Sequence, residues 1–246
     1  MRGVSLSEIA TPLARDGFVF VHAGAMKSIL EGGGLVDWVS FASTWNDLGV
    51  DTYMADGGRY RRRRFGAFAA RSAMPPTQPG LRRKPHQPHY QSRDYNALNG
   101  GVARWFSPLT DAVASHPAMT AILTMCRDLF DGLTPEATRP EEWHVEVHQF
   151  RIETGPEEGR PTPEGMHRDG VDWVLVMLVR RENIASGVTM MEDVAHRPLG
   201  SFTLTEPMDS ALVDDERVFH GVTPLGRLDP SLPAYRDVLV VTFRRA

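Results

Sequence analysis

The feature that most constrains this chain is a change of hydrophobic period near Glu141. Beyond it, WHVEVHQFRIE (143–153) alternates apolar and polar residues, the period of two that sends successive side chains to opposite faces of a strand. Short segments of strand texture follow: DWVLVMLVR, SGVTMMEDV, GSFTLTE, DSALVDD, RVFHGVTPL and RDVLVVTFRR, separated by turn-forming residues. Before Glu141 the spacing is mainly helical. SLSEIATPLAR (5–15), with Ser5 or Ser7 as cap, ends at Asp16–Gly17 and leads into a strand, FVFVHA (18–23). AMKSILE (25–31) and LVDWVSFASTWNDL (35–48) are helical, divided by Gly32–Gly34. Helical spacing returns across 107–132, with Pro117 in a first-turn position and Gly132 as the stop. Helices first, then six to eight short strands, predict an α+β chain whose C-terminal half closes as a β-sandwich or barrel.

At 246 residues the chain fits one domain over 1–246, with a mainly helical part (1–142) ahead of the strand-rich part (143–246). Residues 57–92, rich in Arg, Pro and Gly, read as an extended strand at 59–69 and then a long loop. Arg61–Arg64 invite a nucleic-acid reading, but the net charge is −4 and no aromatic platform accompanies them. The plainer expectation is a strand whose alternate arginines face solvent and a carboxylate-lined surface. The longest apolar run, Trp173–Val179, is strand-sized, so no membrane partner is expected. The start MRGVSLSEIATPLARDG lacks the apolar centre of a signal peptide. A single cysteine, Cys126, sits in the helical pattern AILTMCRDLF. It reads as a small core residue in a cytoplasmic protein that acts on a small molecule.

The chemistry lies in PEGMHRDGVDWVLVMLVRR (163–181). In extended backbone His167 and Asp169 share a face and can reach one metal ion, while Arg168 points away and Gly170 permits a sharp turn. His220, in RVFHGVTPL and 53 residues beyond His167, is the best third ligand. Two histidines and a carboxylate form the facial triad of non-haem Fe(II) sites, with open positions for other ligands; a structural zinc site would favour cysteines. Arg236 opens the last strand, where its planar fork suits a carboxylate.

His167-x-Asp169, His220 and Arg236, in that order on this strand pattern, resemble the motif of the 2-oxoglutarate/Fe(II)-dependent dioxygenases. LARDGFVFV (13–21) is similar to the helix-then-strand entry of that superfamily. PTPEGMHRDG, HGVTPL and YRDVLVVTF resemble the bacterial family that contains free-amino-acid hydroxylases such as isoleucine dioxygenase, and the biofilm-associated BsmA-like proteins. The resemblance implies a double-stranded β-helix (jelly roll), with N-terminal helices packed on its main sheet. It implies Fe(II) held by His167, Asp169 and His220, and 2-oxoglutarate held by Arg236 with Thr223 as helper. O2 would be the oxidant and a free L-amino acid the substrate hydroxylated. Retention of Asp169 argues for hydroxylation rather than halogenation. The alternative is a non-catalytic jelly-roll protein with a binding or regulatory role in a biofilm or stress response.

Substrate contacts are less legible. His148 and Gln149 point to opposite faces of their strand, so one of them lines a pocket. Gln149 and Arg151, which share a face, are the candidates there; Arg151 could grip a substrate carboxylate or form a structural ion pair. Asn99, with Asn96 and Arg104, is a candidate at the entrance. His86 and His89, in the Pro-rich KPHQPHY, are expected to be solvated or part of a lid. Trp173, Met177, Met190 and Met191 read as core.

Overall fold

A computed structural model of the chain describes residues 5–72, 80–96, 98–155 and 158–245. The first helix, α1 (Leu6–Asp16), begins at Ser5, which forms a capping box with Glu8. It ends where Gly17 turns left-handed (φ 79°) and feeds β1 (Phe18–Val21). The α2 helix (Ala23–Gly32) follows, then the glycine break, then α3 (Trp38–Ser43) and a 3-10 turn (Thr44–Asp47). The helix expected from residue 35 begins three residues later because Asp37 caps it, its Oδ1 accepting the Ser40 N–H at 3.2 Å. After α4 (Asp111–Ala114), α5 (Pro117–Leu133) does start at Pro117. It does not stop at Gly132, which stays helical; Thr134 closes it, donating its N–H to the Phe130 carbonyl at 2.9 Å.

Among the described residues seven strands follow residue 141, within the six to eight expected: β4 (Glu142–Thr154), β5 (Trp173–Glu182), β6 (Thr189–Asp193), β7 (Pro198–Phe202), β8 (Ser210–Asp214), β9 (Val218–Val222) and β10 (Ala234–Arg245). The N-terminal half adds β2 (Arg61–Arg71) and β3 (Leu81–Arg83). One sheet runs β1-β8-β5-β10-β4-β2-β3 and the other β7-β6-β9, every neighbouring pair antiparallel. An isolated bridge between His167 and His220 ties the segment before β5 to β9. The two sheets enclose a cavity, the jelly-roll arrangement. Residues 73–79, part of the long loop expected over 57–92, lie outside the described residues.

The central strands are covered on both faces, and alternation sorts their residues. Trp143, Val145 and Val147 of β4 and Leu239, Val241 and Phe243 of β10 join the core that includes Leu13, Met26, Leu30 and Phe130 from the helices. Phe130 stacks on Trp173 with ring centroids 5.2 Å apart. Burying each such side chain contributes about 1.5–3 kcal/mol, so the helices are held to this face by a dozen or more comparable terms. Cys126 is fully buried in this core. The other face of the same strands presents His144, Glu146, His148 and Phe150 of β4 and Arg236, Val238, Val240 and Thr242 of β10 to the cavity. Met191 is buried between the sheets, whereas Met190 is exposed on the opposite face of β6 rather than in the core.

Candidate active site

His167, Asp169 and His220 converge, their donor atoms all within 4.8 Å of one another. The Asp169 carboxylate sits 3.7 Å from His167 Nε2 and 3.6 Å from His220 Nε2. Backbone pairing brings the histidines together: His167 N–H reaches the His220 carbonyl at 3.0 Å, and the return bond is 2.9 Å. Gly221 makes this approach possible, since a Cβ there would stand 2.8 Å from Met166 Sδ and 3.2 Å from the Gly165 carbonyl oxygen. Gly170 (φ 78°) turns the chain after Asp169, and Tyr95 packs where its side chain would be. The turn is clamped by Asp215, whose carboxylate accepts the N–H groups of Asp169, Gly170 and Val171 at 2.9, 2.7 and 3.1 Å.

The electrostatics suit a cation at this point. His167 donates Nδ1–H to the Gly165 carbonyl at 3.1 Å, so Nε2 is the ring nitrogen that faces Asp169. Burial, helped by the charge of His167, holds His220 down at about 4, so it is neutral at pH 7. Burial also disfavours the charged form of His167, but the Asp169 and Glu164 carboxylates outweigh it and raise its value. Gln91 reaches Asp169 from the far side, donating its amide to the backbone oxygen at 3.1 Å and to Oδ1 at 3.4 Å.

The three donors open onto a cavity of about 430 Å³ that Arg236 also lines. Arg236 is 2 % exposed. Among the described residues its Nε and Nη2 have no hydrogen-bond partner. Burial, with Arg181 nearby, lowers its value to about 10. A buried guanidinium with unused donors is costly unless an anion completes it, and its fork matches a carboxylate.

The 2OG-Fe dioxygenase family matches this chain over residues 42–242. The chain belongs to that family. Among its relatives, L-isoleucine-4-hydroxylase of Bacillus thuringiensis is 31 % identical over 159 residues, covering 63 % of this chain and 64 % of that protein. The 3(1)-hydroxy-L-isoleucine 4-dioxygenase of Pantoea ananatis strain AJ13355 is 25 % identical over 161 residues, covering 64 % of each. The chain thus spans just under two thirds of the length of both relatives. The crystal structure of a bsmA homolog from Methylobium petroleophilum PM1 superposes with a TM-score of 0.86 at 37 % identity, covering 98 % of this chain and 94 % of that one.

Three sequence expectations about the dioxygenase cavity need correction. Gln149 and Arg151 are on the wrong face of β4. Gln149 is fully buried under the helices, donating to Thr44 Oγ1 at 2.9 Å. Arg151 takes the ion-pair alternative instead of the substrate grip, making two 2.7 Å bonds to Asp237 and reaching Asn46. His148 holds the cavity position. Thr223 lies outside the cavity lining, and its Oγ1 accepts the Val188 N–H at 2.9 Å. Asn99 does line the cavity, its Oδ1 accepting the Ala55 N–H at 3.1 Å.

Two of the four arginines of β2 also depart from expectation. Arg62 and Arg64 point outward to Glu153 and Asp47, but Arg61 and Arg63 are buried and line the cavity. Arg61 pairs with Asp51 at 2.8 Å. Nor is His89 solvated: its Nδ1 lies 2.7 Å from Glu146 Oε2, and of the two only His86 is exposed.

Glu146 is ringed by imidazoles. Arg63 donates to His148 Nδ1 at 2.6 Å and Lys84 donates to His144 Nδ1 at 2.9 Å. Each histidine therefore carries its proton on Nε2, directed at Glu146, at 3.9 Å from His148 and 3.4 Å from His144. His89, Glu146 and His148 have metal-ligand spacing, but that tautomer leaves His148 without a lone pair toward Glu146, and the cluster stands as a hydrogen-bonded carboxylate instead. Burial opposes the charge on Glu146, and hydrogen bonds from His144 and His89 overcome it, holding the carboxyl well below its usual range. Sequence reasoning missed Gln91 and Glu146. The alternation that selects one face of β4 would have found Glu146 had His148's face been known. No local signal marks Gln91, which comes from an irregular segment.

Proposed function

We propose that this chain is an Fe(II)- and 2-oxoglutarate-dependent dioxygenase that hydroxylates a small polar substrate, a free L-amino acid. The single observation that carries the reading is the convergence of His167, Asp169 and His220 on a cavity that also holds the unpartnered guanidinium of Arg236. The donor set of two imidazoles and one carboxylate fits ferrous iron. The empty hydrogen-bonding capacity of Arg236 fits the far carboxylate of 2-oxoglutarate. When bound, the iron would couple oxidation of 2-oxoglutarate to succinate and CO2 by O2 with insertion of the second oxygen atom into a substrate C–H bond.

The chain's own residues would supply position and exclusion. Gly165 fixes the His167 ring, Gln91 and the Asp215 clamp fix Asp169, and Arg236 orients the co-substrate by a two-point grip. Val171, Val176, Val222 and Val240 give the cavity apolar walls that keep water away from the reacting atoms. The amino-acid class is supported by the two isoleucine-acting relatives. A non-catalytic role leaves the complete donor set and the unpaired buried arginine without a purpose. Among the described residues no helix is long and apolar enough to cross a membrane. The buried thiol of Cys126 fits a cytoplasmic setting.

The test is anaerobic addition of Fe(II) and 2-oxoglutarate, which should produce the weak visible charge-transfer band of the chelate and lose it in His167→Ala. Succinate release is then followed with the twenty L-amino acids under air. Indistinguishable spectra for wild type and variant would defeat the metal assignment. A normal band with no amino acid stimulating succinate release would defeat the substrate class alone.

A further inference from the structure

The cavity holds a second guanidinium that the reading above does not use. Four arginines line it in buried positions: Arg61, Arg63, Arg104 and Arg236. Arg61 is paired with Asp51 at 2.8 Å. Arg63 shares the same carboxylate at 3.5 Å and bonds His148 at 2.6 Å, its guanidinium 3.4 Å above the Phe106 ring. Arg236 is assigned to 2-oxoglutarate. Arg104 remains. It is 4 % exposed, yet among the described residues it has no carboxylate within salt-bridge distance. Its guanidinium makes one hydrogen bond, at 3.5 Å to Gln91 Oε1, an oxygen that also accepts the Asn96 amide at 3.1 Å. Among the described residues the Nε of Arg104 has no hydrogen-bond partner. A guanidinium offers five donors, so most of its capacity is unspent.

The backbone builds this position deliberately. Arg104 and His89 pair across an antiparallel bridge, with bonds of 3.0 and 2.9 Å, which sets both side chains over the cavity. Gln91, from the same segment, accepts from Arg104 and donates to Asp169. A ligand seated on Arg104 therefore lies beside the triad. The charges acting on Arg104 are Arg61, Asp51, Glu164 and Glu146, whereas Arg236 feels Arg181, so the two guanidiniums occupy different neighbourhoods. Glu164 also lines the cavity; its Oε1 is 3.6 Å from His167 Nε2 and its Oε2 is buried without a partner. A dianion would meet repulsion from Glu164 and Glu146. A carboxylate whose own molecule carries a positive charge would not.

Resting on the amino-acid reading and extending it, we infer that Arg104 seats the free carboxylate of the substrate, so that the enzyme acts on amino acids with an unblocked carboxyl group. Carboxamides and peptide- or carrier-linked forms would be excluded. Burial makes the requirement strict: a ligand without the carboxylate leaves a desolvated guanidinium uncompensated.

The experiment is anaerobic isothermal titration of the Fe(II)- and 2-oxoglutarate-loaded protein with a panel of small carboxylic acids that includes the twenty L-amino acids. The tightest binder is then compared with its carboxamide, on wild type and on Arg104→Gln. The expected result is an amino acid whose Kd rises about a hundredfold on going to the amide or to Arg104→Gln, with no further loss when the two changes are combined. Arg104→Gln should keep its 2-oxoglutarate charge-transfer band.

If the tightest binder is a carboxylic acid without an amino group and shows the same pattern, Arg104 keeps its role and the amino-acid reading falls. If acid and amide bind wild type within twofold, or no panel acid binds, the inference is overturned; this comparison needs only wild-type protein. It is also overturned if Arg104→Gln weakens 2-oxoglutarate as much as Arg236→Gln does, because Arg104 would then belong to the co-substrate.

Discussion

Asp215 accepts the backbone N–H of Asp169 at 2.9 Å, across 46 residues of sequence. The same carboxylate takes the next two N–H groups, so one side chain dictates the path of the turn that aims Asp169 at the histidines. Burial and the Asp169 charge push Asp215 above its usual value, and the three N–H donors pull the other way. Replacing Asp215 by Ala leaves three buried donors unmet. We expect Fe(II) affinity to fall by about ten- to a hundredfold, read from a titration of the 2-oxoglutarate chelate band, together with a lower Tm. Unchanged iron affinity would show that the turn holds its shape without the clamp.

Arg236→Lys keeps the positive charge and loses the planar fork. The KM for 2-oxoglutarate should rise by about tenfold or more while Fe(II) affinity stays within twofold, measured by succinate release and by metal titration respectively. A collapse of iron loading would assign Arg236 to the metal centre's structure instead.

Arg151→Ala tests which face of β4 is which. Arg151 is half-buried on the helix side of β4, and its partner Asp237 is fully buried. Its loss should destabilise the fold by about 3 kcal/mol, seen in urea unfolding, and leave the KM values for 2-oxoglutarate and substrate unchanged. A selective rise in substrate KM would return Arg151 to the cavity.

Acid sensitivity should come from the Glu146 cluster. Burial keeps His148 and His89 below their usual 6.5 in the folded protein, assisted in His148 by Arg63 and opposed in His89 by Glu146. The unfolded chain therefore binds more protons as pH drops through 6.5, and stability falls. Glu146, held below its usual 4.5, adds a second loss of the same sign below that pH. Thermal melts from pH 8 to 4 should show Tm declining from about pH 6.5 and more steeply below about 4.5, with the lower limb flattened in Glu146→Gln. A Tm independent of pH over that range would contradict the suppressed protonation of His148, His89 and Glu146.

What the amino-acid order determined by itself was local and chemical. The period change at Glu141 set helices before strands, Ser5 and Pro117 set helix starts, and the residue types at 167, 169, 220 and 236 named the donors an iron and a carboxylate require. Such features are legible because they depend on neighbours one to four residues apart, or on side-chain chemistry alone. The tertiary structure decided everything that depends on which face of a strand meets which layer. Strands β4, β5 and β10 are covered on both sides, so burial leaves no polar face to mark the outside. Only the packing of α1, α2 and α5 shows that Gln149 and Arg151 belong to the helix side and His148 and Glu146 to the cavity. The same holds for Arg61 and Arg63, whose inward turn depends on Asp51, and for Gln91 and Arg104. Gln91 and Arg104 come from irregular segments whose position is set by long-range contacts rather than by any period in the chain.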